Sequence, residues 1–425
     1  MLHDLRHPFG LVHPATARDP SGPAPPRAWP LRAVALDRWC LGRLAEATSG
    51  LPLRIVLWDG TTVASSPGPE RFTVRIADRA TLWRIARDPD LGFGEGYTDG
   101  RLEVDGDLAA LVDAVARALA SRRRGMSRVS RWIASLAGAS LRGAWRNAHH
   151  HYDLGNGFYR LWLDADLVYT CAYFPTPDAT LEAAQRAKHD YVCRKLELAP
   201  GARVFEAGCG WGALARHMAR DYGATVRAWN VSAEQVREAR ARADAEGLAG
   251  RVTFVEDDWR RIDGHCDVFV SVGMLEHVGP SHYRELGRVI DRCLDREHGR
   301  GLLHFIGRNA AAQSSRWTAR HIFPGFYLPT LREVLAGVLE PHGFSVVDVE
   351  NLRGHYALTL RQWQAQFERV TPLVATQFGE RFTRMWRYYL AGAHAGFAAG
   401  YLQLFQVTFT RETPDPAPAT RALWY

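Results

Sequence analysis

The chain lacks any CxxC pair. Its six cysteines, Cys40, Cys171, Cys193, Cys209, Cys266 and Cys293, are scattered without metal-ligand spacing. That argues against a disulfide framework or a structural zinc site and for thiols of a reducing cytoplasm. The apolar stretch of a secretory signal is also missing. Leu2 to Pro30 is polar and dotted with proline, which predicts a disordered start over 1–30. No stretch makes a convincing membrane span. Tyr388 to Phe409 carries no charge and spaces Gly392, Gly396 and Gly400 four apart, yet His394, Gln403 and Gln406 interrupt it. It reads as a closely packed helix running into a strand, Leu402 to Phe409, so any membrane contact is expected to be peripheral. Acidic residues are absent between Asp113 and Asp153, a gap that eight arginines from Arg117 to Arg146 fill.

What is present is enough for more than one domain. The 425 residues are 47% hydrophobic and 23% charged, an ordinary globular balance. A formal charge of +7 suggests an anionic partner, either nucleic acid or an acidic lipid surface.

Three regions follow the N-terminal segment. Residues 31–120 read as a small α+β domain: a helix over Leu36 to Thr48, strands at Leu53 to Trp58 and Arg71 to Ile76, and an apolar helix over Leu108 to Leu119. Residues 121–146 form a basic connector. Val129, Trp132, Ile133 and Leu136 fall at i, i+3, i+4 and i+7, giving an apolar stripe among arginines. Such a helix suits anionic headgroups contacted through Arg122 to Arg146, and equally a linker packed on its own protein. From 147 to 412, short apolar strands alternate with helices. The strands are Arg203 to Glu206, Thr225 to Trp229, Val252 to Val255, Asp267 to Val270 and Gly301 to Phe305. That pattern predicts an open, mostly parallel sheet covered on both faces, with ligands at the carboxyl ends of its strands. Residues 413–425 are a tail.

The first of those strands ends in Glu206-Ala-Gly208-Cys-Gly210-Trp-Gly212. Glycines let backbone approach a ligand, and the following helix offers free N–H groups. The spacing is GxGxG rather than the GxGxxG of dinucleotide sites, and Glu206 is suited to the cationic amino-acid end of S-adenosylmethionine. After the second strand come Asn230, Ser232 and Gln235; after the third come Asp258 and Trp259, a carboxylate beside a flat ring that suits an adenine. Each alone is a common cap or core residue. In order after three successive strands, they favour the cofactor.

These residues resemble a family, the cyclopropane-fatty-acyl-phospholipid synthases and mycolic acid cyclopropane synthases, over roughly 147–410. The resemblance rests on His151-Tyr-Asp-Leu-Gly-Asn156, Tyr169-Thr-Cys-Ala-Tyr173, Gly208 to Gly212, Ser271 to Gly279, His304-Phe-Ile-Gly307, Ile322-Phe-Pro-Gly325 and Tyr356 to Trp363. Less specifically, Gly92 to Tyr97 with Asp99-Gly100 resembles the family's small lipid-handling domain. The resemblance implies a Rossmann-like class I methyltransferase domain with a mostly parallel seven-stranded sheet, and Tyr169 and Thr170 beside the cofactor. It also implies methylation of a cis double bond in a phospholipid acyl chain, giving a cation that a bound bicarbonate deprotonates. The anion's ligands would be Cys171, Glu276, His304, the Ile306 amide and Tyr356. Loss of a different proton would give a methylene- or methyl-branched chain instead, and sequence does not decide between them. A non-catalytic lipid-binding or cofactor-sensing protein stays a reading of another class.

The chain departs from the family at Glu206, where aspartate is usual, and at Ala207, Asn230 and Arg261. A nucleic acid partner is disfavoured because no Asn-Pro-Pro-Tyr-type loop follows the fourth strand. A metal at His149-His150-His151 is disfavoured because adjacent side chains diverge. The expected partner is a bilayer with unsaturated acyl chains at the inner face of the cytoplasmic membrane; a homodimer stays open.

Overall fold

The computed structural model describes residues 32–124, 154–311, 315–411 and 421–422. The disordered-start expectation, the arginine-rich stripe at 129–136, the histidine triplet and the tail's far end lie outside those residues.

A four-stranded sheet of order β2-β1-β3-β4 is built from β1 (Leu53–Leu57), β2 (Thr62–Ala64), β3 (Phe72–Ile76) and β4 (Leu102–Asp105). Alternation sets its faces: Leu53, Ile55 and Leu57 are buried along β1, as are Phe72, Val74 and Ile76 along β3. Helices α1 (Ala35–Ala47), α2 (Arg79–Arg87), α3 (Pro89–Thr98) and α4 (Leu108–Arg124) accompany it. Asp78 and Asp88 cap α2 and α3 by accepting from the Thr81 and Leu91 amides. α3 is helical despite Gly92, Gly94 and Gly96. A side chain at 92 would strike the backbone of Arg84 and Ile85, and one at 94 the indole of Trp317. The glycines therefore buy close packing at the expense of helix propensity.

The larger sheet has seven strands in the order β10-β11-β9-β8-β5-β6-β7. They are β5 (Arg203–Ala207), β6 (Thr225–Asn230), β7 (Val252–Glu256), β8 (Val268–Val272), β9 (Arg300–Gly307), β10 (Phe344–Asn351) and β11 (Gln403–Arg411). β11 runs antiparallel to both of its neighbours, while the pairs from β7 to β9 are parallel. β5 and β8 are adjacent, and the chain leaves β5 one way and β8 the other. The crevice at their carboxyl ends is thus the topological switch point.

The helices of this part are α5 (Gly155–Arg160), α6 (Leu181–Lys195), α7 (Ala213–Asp221), α8 (Ala233–Ala245), α9 (Tyr283–Cys293), α10 (Arg316–His321), α11 (Leu331–Val334), α12 (Arg353–Phe378) and α13 (Glu380–Ala398). All five residues of β8 are buried, on both faces, which explains why only Ser271 interrupts its apolar sequence. α13 packs along α12 and also against α3 and α4, tying the two sheets together; Ala391 belongs to the small sheet's core. The segment expected to be a helix entering a strand is the end of α13 followed by β11, and no helix among the described residues is long and apolar enough to cross a membrane.

Candidate active site

Two cavities meet at the switch point. The first, of about 230 Å3, is lined by Tyr169, Thr170, Glu206, Gly208, Gly210, Asn230, Gln235, Asp258 and Trp259 among others. Gly212 and Ser232 do not line it. Gly212 has φ +75 and a Cβ there would lie 2.5 Å from the Phe254 ring, so its role is to let α7 start close to the sheet. Ser232 caps α8, accepting from the Gln235 amide.

The glycine turn is held open from below. The Gly208 and Cys209 amides donate to the Trp229 carbonyl at 2.9 and 3.1 Å. Gly208 has φ +83, and a Cβ would stand 2.8 Å from Met274. Asn230 donates from Nδ2 to the Gly210 carbonyl and to Gln235 Oε1, bracing the turn from β6. Asp258 Oδ1 accepts from the Arg260 amide, and the Arg260 guanidinium lies 4.6 Å from the Trp259 ring centroid.

Glu206 closes the floor. It is buried, its Oε2 has no hydrogen-bond partner, and burial pushes its carboxyl up to about 7 against the opposing pull of Lys188. A buried orphan carboxylate oxygen beside a glycine turn calls for a cation. The ammonium end of S-adenosylmethionine supplies one, so these residues fit that cofactor.

Lys188 is a residue that sequence reading missed. It lies inside α6, buried and facing the cavity, where its Nζ donates to Thr170 Oγ1 at 3.3 Å. Burial brings its ammonium down to about 8. A lone lysine in a helix carries no local signal of such a place. His277, also overlooked, lines both cavities and is held neutral by burial, at about 4.

The second cavity, of about 760 Å3, contains all of Cys171, Glu276, His304, Ile306 and Tyr356 in its wall. It shares Tyr169, Thr170, Gly273 and His277 with the first. Glu276 sits in the single turn after β8. Its Oε1 accepts from the Ile306 amide at 2.6 Å, its Oε2 has no partner, and burial pushes the carboxyl up to about 7. The Ile306 amide is thus engaged by Glu276 rather than presented bare to the cavity.

His304, on β9, has Nδ1 at 3.1 Å from Gln406 Nε2; burial and the cations of Lys188 and Lys195 hold it neutral, at about 3. With that amide nitrogen donating, the ring proton belongs on Nε2. Cys171 is buried, its thiol donates to the Ala172 carbonyl, and burial pushes it up, so it is a neutral thiol and not a thiolate. Tyr356, on α12, packs its ring 4.4 Å from that of Phe397. Tyr169 and Tyr389 share a 2.8 Å hydroxyl contact across the same space.

Away from these groups the cavity is mainly apolar, with Asp88, Asp90, Arg308 and Ser315 also in its wall, and crosses into the small domain. Leu53 and Ile55 of β1, Val74 and Ile76 of β3, and Leu111 and Val115 of α4 form its far wall.

Residues 139–407 match the profile of the mycolic acid cyclopropane synthetase family. The chain belongs to that family. A second profile, a domain of unknown function, matches 41–124. Among individual relatives of this synthetase-family chain, a cyclopropane-fatty-acyl-phospholipid synthase of Escherichia coli (strain K12) is 38% identical over 80% of this chain and 87% of its own length. A tuberculostearic acid methyltransferase of Mycobacterium tuberculosis is 35% identical over 94% and 96%. A solved mycolic acid cyclopropane synthase complexed with SAH and CTAB covers 61% of this chain and 95% of its own, at 30% identity and a TM-score of 0.58. The family member described here is therefore an S-adenosylmethionine-dependent methyltransferase with the class I sheet.

Proposed function

We propose that this methyltransferase acts on the cis double bond of an unsaturated phospholipid acyl chain and closes a cyclopropane ring there. One observation carries the reading: a single cavity joins the Cys171, Glu276, His304 and Tyr356 side chains to an apolar channel lined by the small sheet. A long hydrocarbon fits such a space, with its polar end toward the surface and a mid-chain bond beside the cofactor cavity.

Bound in the first cavity, S-adenosylmethionine supplies an electrophilic methyl group to the alkene, leaving an acyl-chain carbocation that ring closure discharges with loss of one proton. The chain's own groups do the rest. The apolar wall excludes water, which would otherwise quench the cation. Cys171 and His304, both neutral, add no nucleophilic anion. Tyr169 and Thr170, with Gly273 and His277, form the wall common to both cavities, so the methyl donor and the alkene meet there.

The donor set also fits a small oxyanion such as bicarbonate, which when bound would supply the base. His304 Nε2–H and the Tyr356 hydroxyl are donors toward it. Glu276, at about 7, holds or shares a proton near neutral pH through its orphan Oε2, which relieves the repulsion between a carboxylate and an anion.

A second reading, a methyl- or methylene-branched product, is supported by the likeness to the tuberculostearic acid methyltransferase over nearly the whole chain. Purified protein, vesicles of cis-unsaturated phospholipid and methyl-labelled cofactor test both. NMR and mass spectra of the released acyl chains are expected to show ring methylene signals. An exocyclic alkene or a branched methyl would select the second reading. Absence of S-adenosylhomocysteine would defeat both and leave a binding or sensing protein.

A further inference from the structure

Six large apolar side chains are exposed among the described residues, and three of them, Val34, Leu36 and Trp39, crowd within six positions at the start of α1. Their exposures of 47%, 56% and 61% are far from what a packed helix leaves in water. The opposite face of α1, with Cys40, Leu41 and Ala45, is buried against the small sheet, so the helix is fixed with these groups pointing outward.

The same helix borders the acyl channel. Leu44, Ala47 and Thr48 line the 760 Å3 cavity, and Ala47 is itself exposed, so the cavity reaches the surface at this end of α1. Leu36, Arg43 and Ala47 stand at i, i+7 and i+11, which is one helix face. Leu36 therefore shares a face with the mouth, about three turns away along the helix, and Trp39 stands about 60° round from it.

Charge at the start of the helix is positive, with Arg38 on its flank, about 160° round from Leu36. Arg32 and Arg38 are exposed beside the apolar trio. Asp37 is turned inward, paired with Arg79 at 2.8 Å, and Arg43 is cancelled by Glu46. An indole and aliphatic side chains, with Arg32 and Arg38 that have no ion pair among the described residues, match the boundary between headgroups and acyl chains of an anionic bilayer.

We propose that the outward face of α1 docks on an anionic phospholipid bilayer and sets the mouth of the second cavity against it, so that an acyl chain passes from the leaflet into the channel without crossing water. The proposal rests on the acyl-chain reading of that cavity, and it places the lipid contact on α1, independently of the 121–146 connector.

Sedimentation of the full chain with unilamellar vesicles of unsaturated phosphatidylglycerol and phosphatidylcholine tests it. The Leu36→Glu, Trp39→Glu double variant is expected to lose vesicle affinity at least about tenfold, and turnover on vesicles in parallel. Its turnover on the same lipid dispersed in detergent should stay within about twofold of wild type, since both positions are exposed and neither lines the cavities. A second variant, Arg32→Glu with Arg38→Glu, should weaken binding to anionic vesicles by about fivefold per charge and leave zwitterionic vesicles little changed. Unchanged vesicle affinity in the double variant overturns the proposal, as does an equal loss of turnover on vesicles and in detergent. Wild type that needs α1 to bind vesicles yet forms no S-adenosylhomocysteine would uphold the docking and sink the proposed reaction instead.

Discussion

Replacing Glu206 by glutamine keeps the shape of the buried side chain and removes its charge. The carboxyl stands at about 7 in the fold against an ordinary 4.5, because burial outweighs the opposing pull of Lys188, the Ala215 amide and Arg216. That rise disfavours the ionised folded state by about 3 kcal/mol. Below pH 4.5 the group is protonated whether folded or not, and the full stability is present. As pH climbs from 4.5 to 7 the unfolded chain ionises while the fold does not, so stability is lost. Denaturant titrations of the ligand-free protein should therefore show wild type losing more stability than the variant between pH 4.5 and 7. Glu276 contributes a loss of the same sign, but it is present in both proteins and drops out of the comparison.

Binding runs the other way. A cationic ligand needs Glu206 ionised, and the ionised fraction of a group at about 7 rises roughly 25-fold between pH 5.5 and 7.5; an α-amino group near 8, about a quarter deprotonated at pH 7.5, trims the gain to roughly 20-fold. Calorimetric affinity for S-adenosylmethionine should climb by that order in wild type. In the glutamine variant it should be weak and flat. A variant that binds as tightly as wild type with the same pH slope would refute the assignment of the orphan carboxylate to the cofactor's ammonium.

Three further outcomes follow from the geometry. Gly208→Ala places a Cβ 2.8 Å from Met274 at φ +83, so it should cost about 1–3 kcal/mol of stability and weaken cofactor binding, read by melting and calorimetry. Glu276→Gln preserves an acceptor for the Ile306 amide but replaces the orphan oxygen with a donor. Turnover should fall at least about 100-fold with cofactor affinity within about twofold, and undiminished turnover would remove Glu276 from the chemistry. Ile55→Trp fills part of the channel on β1; long-chain substrates should lose kcat/KM while cofactor binding stays, and equal rates on all chain lengths would contradict the channel.

Much of the fold was legible in local pattern. Period-two alternation marked β1 and β3, and short, largely apolar runs marked the central strands. Polar caps marked helix starts, as at Ser232 before α8. The glycine turn with Glu206 in front of it announced a cationic ligand, because backbone conformation and charge are properties of neighbouring residues. The five residues around the second cavity were a different matter. Nothing in their spacing joined Cys171 to Tyr356, and only a family likeness brought them together before the structure did.

Sequence by itself determined which segments become strands and helices and which glycine turn follows β5 at the switch point, since burial periodicity and glycine torsions act over a few residues. Tertiary structure alone decided that Glu276 takes the Ile306 amide, that Lys188 reaches Thr170, and that Tyr169 meets Tyr389 from 220 residues away. It alone joined the inner face of the small sheet to the switch point of the large one in a single cavity. Those contacts depend on the path of the chain through space, and no window of sequence contains it.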